Sequence, residues 1–260
     1  MRLRLSTAAV SDPGRIRAYN DDSLAADAEL GALVLADGMG GHNAGDVAAR
    51  MATELVLEHL AGETSLRNAP EARIRAAVSH ANAAIVRAAR ADAAKSDMGT
   101  TVVVALFGEG RVTIGHVGDS RAYRLRGGRL KLLTRDHSVL QQQAETGLVD
   151  REGARVSRNR SLVTRALGAD AQAEVLETDV APDDLFLLCS DGLNDMVDDA
   201  DIELALAELG CNLDLAAETL VEMANDNGGQ DNISVLLARA DPAVPVQAGW
   251  SQRLFGWLRS

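Results

Sequence analysis

The sequence predicts an α+β fold in which two helices cover a sheet that includes a β-hairpin, and three observations support this class. An apolar run at 33–36 ends at an acid and a cluster of glycines, as expected for a strand buried on both faces. Apolar residues spaced three or four apart over 47–60 and 70–88 predict two antiparallel helices that cover a sheet. β-Branched residues over 100–117 surround a Gly-Glu-Gly turn, which is typical of a hairpin.

Composition limits the class of protein before any motif is considered. The chain has 260 residues, 47% of them hydrophobic and 25% charged, which is enough for one sizeable core. A formal net charge of -12 argues against nucleic acid or an anionic membrane as the main partner. With two cysteines, no signal-peptide pattern and no apolar stretch near the roughly 20 residues of a membrane span, we expect a cytoplasmic, non-transmembrane protein.

The remaining elements are predicted from local patterns of apolar, turn and capping residues. In chain order they are an edge strand at 3–10, a strand at 121–125, a glutamine-rich helix reaching 147, strands at 173–175 and 185–188, helices at 199–209 and 213–223, and a closing strand from 233.

Acidic residues lie at the ends of the predicted core strands. Asp37 follows the first apolar run, Asp191 follows 185–188, and Asp231 precedes the closing strand. An unpaired charge costs several kcal/mol to bury, so such acids are usually paired, hydrogen-bonded or bound to a metal. Three acids at three strand ends suggest one shared site. Asp119, between two predicted strands, is either a turn residue beside glycine or a fourth member of the cluster.

Two charged segments have both a structural and a functional interpretation. Taken alone, Arg17 with Asp21 and Asp22 is a solvated loop; beside the Asp37 strand, the arginine matches phosphate oxygens and the acids suit a cation or its waters. Four arginines between 151 and 160 form either a solvated loop or a mobile flap that meets an anionic substrate.

Taken together, the motifs resemble the metal-dependent serine/threonine protein phosphatase family of the protein phosphatase 2C type, in its bacterial form. Each motif is weak by itself, but all of them occur in the family's order from about residue 5 to 239. They are Arg17-x-x-Asn20-Asp21-Asp22, Asp37-Gly38-Met39-Gly40-Gly41-His42, Gly99-Thr100-Thr101, Gly118-Asp119-Ser120-Arg121, Thr134-Arg135-Asp136-His137-Ser138, Ser190-Asp191-Gly192-Leu193 and Gly229-Gln230-Asp231-Asn232.

The resemblance implies a four-layer α-β-β-α sandwich, with two antiparallel sheets flanked by helix pairs. Its phosphatase domain would span 1–241 and include a flap at about 137–165, and a proline-containing linker and amphipathic tail would occupy 242–260. The resemblance also implies that Asp37 bridges two Mn²⁺ or Mg²⁺ ions, that the Gly38 carbonyl helps hold one, and that further acids complete the site. These acids are Asp191 and Asp231 on the other ion, Asp22 at the metals through water, and Asp119 at a third, weaker ion.

The implied reaction is hydrolysis of phosphoserine and phosphothreonine in proteins, by in-line attack of a metal-bridging hydroxide on phosphorus. Carboxylates and a carbonyl suit Mg²⁺ or Mn²⁺ better than Zn²⁺, and two such ions lower the pKa of a bridging water. Arg17 would bind phosphate oxygens as charge develops in the transition state. The expected partners are phosphorylated proteins and a cognate serine/threonine kinase, and we expect a monomer.

Two positions depart from the family pattern, and one of them leaves the proton donor open. Asp21 stands where many members have glutamate, so no role is assigned to it. Met39 stands where eukaryotic relatives carry a histidine proposed to protonate the leaving alkoxide, so no protein general acid is assigned. His42 is either a loop residue packed near the acids or the proton donor, a role that water also fills.

Other phosphatase chemistries lack their motifs. Neither Cys189 nor Cys211 is followed six residues later by arginine, so both cysteines are interpreted as small core residues. No Asp-x-Asp nucleophile motif is recognised, since the one Asp-x-Asp triplet, at 199–201, begins a predicted helix, and no Gly-x-x-x-x-Gly-Lys loop occurs. Two alternatives stay open: a non-catalytic phosphoprotein-binding module, and a phosphatase of small phosphate esters. The tail, with Trp250 and Trp257 on one predicted face, either folds back onto its domain or docks a partner or membrane surface.

Overall fold

A computed structural model describes residues 4–40, 44–62, 69–146, 162–169 and 171–241. Across these ranges the chain forms two antiparallel sheets with helices on their outer faces, so the predicted four-layer sandwich is confirmed. The strands are β1 (Arg4–Asp12), β2 (Asp22–Asp27), β3 (Ala32–Met39), β4 (Gly99–Thr100), β5 (Val102–Phe107), β6 (Arg111–Val117), β7 (Arg121–Arg126), β8 (Arg129–Leu132), β9 (Glu174–Asp179), β10 (Leu185–Cys189) and β11 (Ile233–Asp241).

The first sheet contains the first and the last strand of the described residues, side by side. Its strand order is β1-β11-β10-β7-β8, and β1 pairs with β11 along its full length, from Arg4 opposite Asp241 to Asp12 opposite Ile233. The second sheet has the order β2-β3-β5-β6-β9, and β4 adds a short pairing to β3. The predicted edge position of the first strand is confirmed.

Helices α1 (Ala44–Gly62) and α2 (Pro70–Ala91) cover the second sheet. Their alanine-rich inner faces, which include Ala48, Ala52 and Ala77, are fully buried against the outward side chains of β3 and β5. Small residues let a helix approach a sheet closely, and the removal of apolar side-chain surface from water stabilises the packed layer. Proline begins α2, where its missing N–H costs no hydrogen bond.

Helices α5 (Asp199–Leu209) and α6 (Leu213–Asp226) cover the first sheet in the same way. The short α4 (Asp191–Asn194) precedes them at the end of β10. Cys189 is buried in this layer, as expected, but Cys211 is exposed, because it lies in the turn between α5 and α6. The interpretation of Cys211 as a core residue was therefore wrong.

Between the sheets lies a third apolar layer, made by side chains that alternate with those facing the helices. Leu33 and Leu35 of β3 meet Phe186 and Leu188 of β10 here, and all four are almost completely buried. A strand with apolar residues on both faces reads as a continuous apolar run, which is the pattern that identified both strands. Because both faces are buried, shifting either strand by one residue would leave the large side chains without space.

Some local predictions differ from the structure. Strands β2 and β8 were not predicted, because half of their residues are polar and none of their residues is fully buried. Strand β3 does not stop before Asp37 but continues to Met39. Part of the predicted flap, around α3 (Val139–Glu145), is described, whereas the four arginines between 151 and 160 and the tail at 242–260 lie outside the described residues. Among the described helices, none has both the length and the apolar character needed to cross a bilayer.

Candidate active site

Asp37 lies near the end of β3, directly opposite Asp22 on β2. Like charges on opposed residues of neighbouring strands destabilise a sheet, so this pair needs a compensating partner. The backbone of Asp37 is held on both sides by the predicted Gly-Thr-Thr motif: its N–H donates to Thr101 Oγ1 at 3.0 Å, and its carbonyl accepts from Thr101 N at 2.9 Å and Thr100 Oγ1 at 2.8 Å. The motif therefore orients the central acid.

Asp191 and Asp231 are brought to the same end of the first sheet by a close approach of two backbone segments. Asp191 begins α4 after β10, and Asp231 lies just before β11. A Cβ atom on Gly192 would lie 2.0 Å from the carbonyl oxygen of Asn232, so only glycine permits this contact. The Ser-Asp-Gly motif thus sets the spacing between two of the predicted metal ligands.

Ser190 connects the two sheets at the site. Its hydroxyl donates to Asp22 Oδ2 at 2.8 Å and accepts from the backbone N–H of Ser234 at 3.0 Å. Asp22 belongs to the second sheet. Ser190 directly follows β10 and Ser234 lies near the start of β11, and both of these strands belong to the first sheet. The sequence interpretation gave Ser190 no role, although its place within the Ser-Asp-Gly motif was a usable signal.

The carboxyl groups are close enough to repel one another. Burial raises the pKa of Asp22 to about 6, against hydrogen bonds from serine hydroxyls. Burial, followed by the charges of Asp22, Asp191 and Asp119, raises the pKa of Asp37 well above its usual range. The pKa of Asp191 is raised well above its usual value by burial and then by Asp119 and other acids. Burial and then Asp136 raise the pKa of Asp119 to about 7. Four of the predicted acids therefore share one electrostatic environment, to which Asp231 contributes charge.

These acids fit a pair of hard divalent cations. Asp22 Oδ1 and Asp191 Oδ1 are buried and, within the described part of the chain, have no hydrogen-bond partner. Buried carboxylate oxygens without donors are costly unless a cation meets them. The donor set is entirely oxygen, which suits Mn²⁺ or Mg²⁺. Gly38 packs so tightly that an added Cβ would lie 2.2 Å from Gly45 O, which explains glycine at the predicted carbonyl ligand.

Arg17 lies at the edge of this cluster. Its Nη2 donates to Asp231 Oδ2 at 2.7 Å, and this hydrogen bond raises the pKa of the guanidinium further. A cavity of about 160 Å³ is lined by Arg17, Asp191, Gly192, Asp195, Met196, Gln230 and Asp231. The side chain of Arg17 is 57% exposed, so the guanidinium can turn from Asp231 towards an anion in the cavity. The predicted phosphate-binding arginine thus neighbours the predicted metal ligands.

Asn232 fastens the loop that carries Arg17. Its Oδ1 accepts from Asp21 N at 2.8 Å, and its Nδ2 donates to the carbonyls of Tyr19 at 2.8 Å and Pro13 at 3.0 Å. All three side-chain hydrogen bonds hold the loop that contains Arg17 against the segment containing Asp231. Sequence reasoning assigned no role to Asn232, although the Gln-Asp-Asn motif contains it.

Asp21 and Met39, which depart from the family pattern, and the candidate proton donor His42 have different surroundings. Burial and then Asp46 raise the pKa of Asp21, so these two acids form a second pair beside the main cluster. Asp46 Oδ1 is buried without a hydrogen-bond partner among the described residues, and no sequence signal identified it. Met39 ends β3, whereas His42 lies outside the described residues.

Comparisons with known proteins agree with this geometry. The family model for protein phosphatase 2C matches residues 16–234. A serine/threonine phosphatase, stp, of Listeria monocytogenes is 38% identical over 89% of this chain and 94% of its own length. The serine/threonine protein phosphatase PstP of Mycobacterium tuberculosis is 38% identical over 91% of this chain and 45% of its own length. The crystal structure of the catalytic domain of a serine/threonine protein phosphatase PstP in complex with two manganese ions has a TM-score of 0.84 and 36% identity, covering 93% of this chain and all of that one.

Proposed function

The chain belongs to the protein phosphatase 2C family of metal-dependent serine/threonine phosphatases, and we propose that it hydrolyses phosphoserine and phosphothreonine in proteins with two Mn²⁺ or Mg²⁺ ions. The observation that carries the proposal is the cluster of mutually repelling acids, with two buried oxygens that lack donors, beside an exposed arginine. A cluster of this kind is unfavourable unless cations are bound, and two cations beside an arginine suit a phosphate ester.

Each residue of the cluster has a proposed role. Asp37 bridges the two ions, the Gly38 carbonyl contributes to one, and Asp191 and Asp231 hold the other. When bound, the ions supply an activated water for in-line attack at phosphorus and positive charge for the phosphoryl oxygens. Asp22, which accepts a hydrogen bond from Ser190, contacts the metal ions through water. Asp119 contributes to a third, weaker ion. These assignments rest on the shared environment of the acids and on the resemblance of their motifs.

Arg17 binds the phosphoryl group of the substrate. Its guanidinium can hold Asp231 and a phosphoryl group in the cavity at the same time, because only one of its five donors is used by Asp231. Arginine offers two parallel hydrogen bonds to phosphate oxygens, and these strengthen as negative charge develops in the transition state. No protein side chain is assigned as general acid, because methionine at position 39 has no proton to donate.

The biological setting is proposed from the same reasoning. The substrates are proteins phosphorylated by a cognate serine/threonine kinase, and the catalytic unit is a cytoplasmic monomer within residues 1–241. A segment of 19 residues follows at 242–260 and is proposed to be dispensable for turnover. Deleting residues 243–260 should leave turnover of a small ester nearly intact.

The first test is phosphate release from a phosphothreonine peptide with added Mn²⁺, compared with excess chelator and with Asp37→Asn. We expect release only from the wild-type protein with metal. A small aryl phosphate at equal concentration separates the protein phosphatase from a phosphatase of small esters, since the proposal requires preference for the peptide. No release from folded protein under any condition would refute the proposal and favour a non-catalytic phosphoprotein-binding module.

A further inference from the structure

The Thr-Arg-Asp-His-Ser motif at 134–138 has no role in the proposed reaction, yet the structure fastens it beneath the loop that carries Asp119. His116 Nε2 lies 2.8 Å from the carbonyl of Arg135. The carboxylate of Asp136 accepts from Arg121 Nη2 at 2.7 Å and from its Nε at 3.0 and 3.1 Å. The motif is therefore attached on both sides of Asp119.

His137 makes the closest link to this loop. Its backbone N–H donates to the carbonyl of Gly118 at 2.9 Å, and its ring Nδ1 lies 3.2 Å from the N–H of Gly118, which donates to it. Gly118 has a φ of 107°, and a Cβ there would lie 2.6 Å from Thr101 Cγ2. The residue before Asp119 is thus held between His137 and Thr101, so Asp119 has little freedom to move.

The same residue forms the base of the flap. The carbonyl of His137 accepts from Thr164 N at 2.7 Å, and Val139 N donates to the carbonyl of Leu162 at 2.9 Å. These bonds join the two described ends of the flap segment to each other. His137 is therefore shared between the flap base and the Asp119 loop, and only 7% of its surface is exposed.

The ring contacts define the tautomer of His137. Nδ1 accepts a hydrogen bond, so the neutral ring carries its proton on Nε2, which faces Glu174 Oε2 at 3.2 Å; Arg165 Nη1 is more distant, at 3.5 Å. Burial lowers the pKa of His137, which keeps the ring neutral at pH 7 to 8.

The group formed by His116, His137 and Glu174 resembles a metal site, because one ligand atom from each lies within 4.8 Å of the others. Its geometry disfavours that role. The two imidazole rings stack with centroids 4.7 Å apart and planes 20° apart, so their in-plane lone pairs lie in two separate, nearly parallel planes and do not converge on one ion. With Nδ1 already accepting from Gly118, binding a metal through Nε2 would also leave the ring without a proton.

We propose that His137 is a positioning residue that holds Asp119 in place through Gly118 and connects this acid to the base of the flap. The inference rests on the proposed function, because it takes Asp119 as a ligand of the weakest metal ion. Losing the contact to Gly118 N–H should lower the affinity for that ion and leave the affinities for the two more tightly bound ions unchanged. Residues that orient a metal ligand typically contribute about 10-fold or more to affinity.

Two amide substitutions separate the ring nitrogens. In His137→Asn the amide oxygen can take the place of Nδ1 and accept from Gly118, whereas in His137→Gln the amide reaches the position of Nε2 instead. The experiment is a calorimetric titration of metal-free, full-length protein with Mn²⁺, which gives the Kd of the weakest binding step. For His137→Asn this Kd should lie within about threefold of the wild-type value, and for His137→Gln and His137→Ala it should be about tenfold higher. Asp119→Asn provides the reference for complete loss of that step.

A second readout is independent of metal. The ¹⁵N chemical shifts of the His137 ring should identify the Nε2–H tautomer at pH 8, and an Nδ1–H tautomer would overturn the proposal. The proposal also fails if His137→Gln binds the weakest ion as tightly as wild type, or if folded His137→Asn loses as much affinity for it as His137→Ala. It fails as well if Asp119→Asn leaves the titration unchanged. In each case, normal metal-dependent turnover of a phosphothreonine peptide by the wild type shows that the proposed function itself stands.

Discussion

Removing the metal should make this protein less stable as the pH rises, because the acids of the site are then buried as uncompensated charges that also repel one another. The pKa of Asp22 is raised from 3.8 to about 6 in the folded state. A group with a raised folded pKa contributes stability that is fully present below its unfolded pKa and is lost as the pH rises through its folded pKa. For Asp22, the loss falls between about pH 4 and pH 6, and Asp119 acts in the same direction with a pKa of about 7.

One pKa unit corresponds to about 1.4 kcal/mol, so the shift of Asp22 lowers the free energy of unfolding by about 3 kcal/mol above pH 6. For a domain of this size, about 3 kcal/mol corresponds to roughly 6 to 12 °C in Tm. Asp22→Asn removes this charge, while its amide oxygen can still accept from the Ser190 hydroxyl. In excess chelator at pH 8, the variant should therefore be more stable than wild type.

The assay is urea unfolding of both proteins at pH 4.5 and pH 8, with chelator and with saturating Mn²⁺. Comparing the two proteins cancels the contribution of His116 and His137, which is the same in both. The pKa of each of these histidines is lowered in the folded state, so their contribution to stability is lost as the pH falls below about 6.5. Metal binding to the native state adds about 2.7 kcal/mol at 100 times Kd, so saturating Mn²⁺ should remove most of the variant's advantage at pH 8, because the amide meets the cations less favourably than the carboxylate does. Asp226→Asn, at the exposed end of α6, is the control and should change little. If Asp22→Asn is no more stable than wild type in chelator at pH 8, the buried charge of Asp22 does not destabilise the metal-free protein as described.

Three further predictions concern other contacts. Arg126→Leu leaves the buried Asp184 without its partner at 2.6 Å, so unfolding free energy should fall by about 3 kcal/mol; unchanged urea midpoints would contradict this. Gly192→Ala places a Cβ 2.0 Å from a backbone oxygen and should weaken Mn²⁺ binding by at least about tenfold, whereas Gly62→Ala, with open space around it, should not. Arg17→Lys should lower kcat/KM about 10- to 100-fold without changing Mn²⁺ affinity; equal kcat/KM would exclude phosphate binding by Arg17.

Much of this protein can be predicted from local sequence. Asp37, Asp191 and Asp231 are recognisable because each stands beside an apolar strand and a glycine, and a charge in such a place requires a partner. The amphipathic spacing of α1 and α2 predicts their helical structure, because packing against a sheet requires one apolar face. The strands with apolar residues on both faces are equally clear, since burial on two sides leaves no polar positions.

Pairing between distant segments was decided only by the tertiary structure. β6 and β7 are joined by three residues, which suggests a hairpin, yet they belong to different sheets, and Asp119 lies at this crossing. β2 was not recognised, because its residues, mostly aspartate, serine and alanine, have low strand preference and form a strand only by pairing with β3. Ser190 reaches Asp22 across 168 positions of the chain. Local patterns record which face of a segment is buried, but they carry no information about which distant segment buries it, and the metal site depends on that choice.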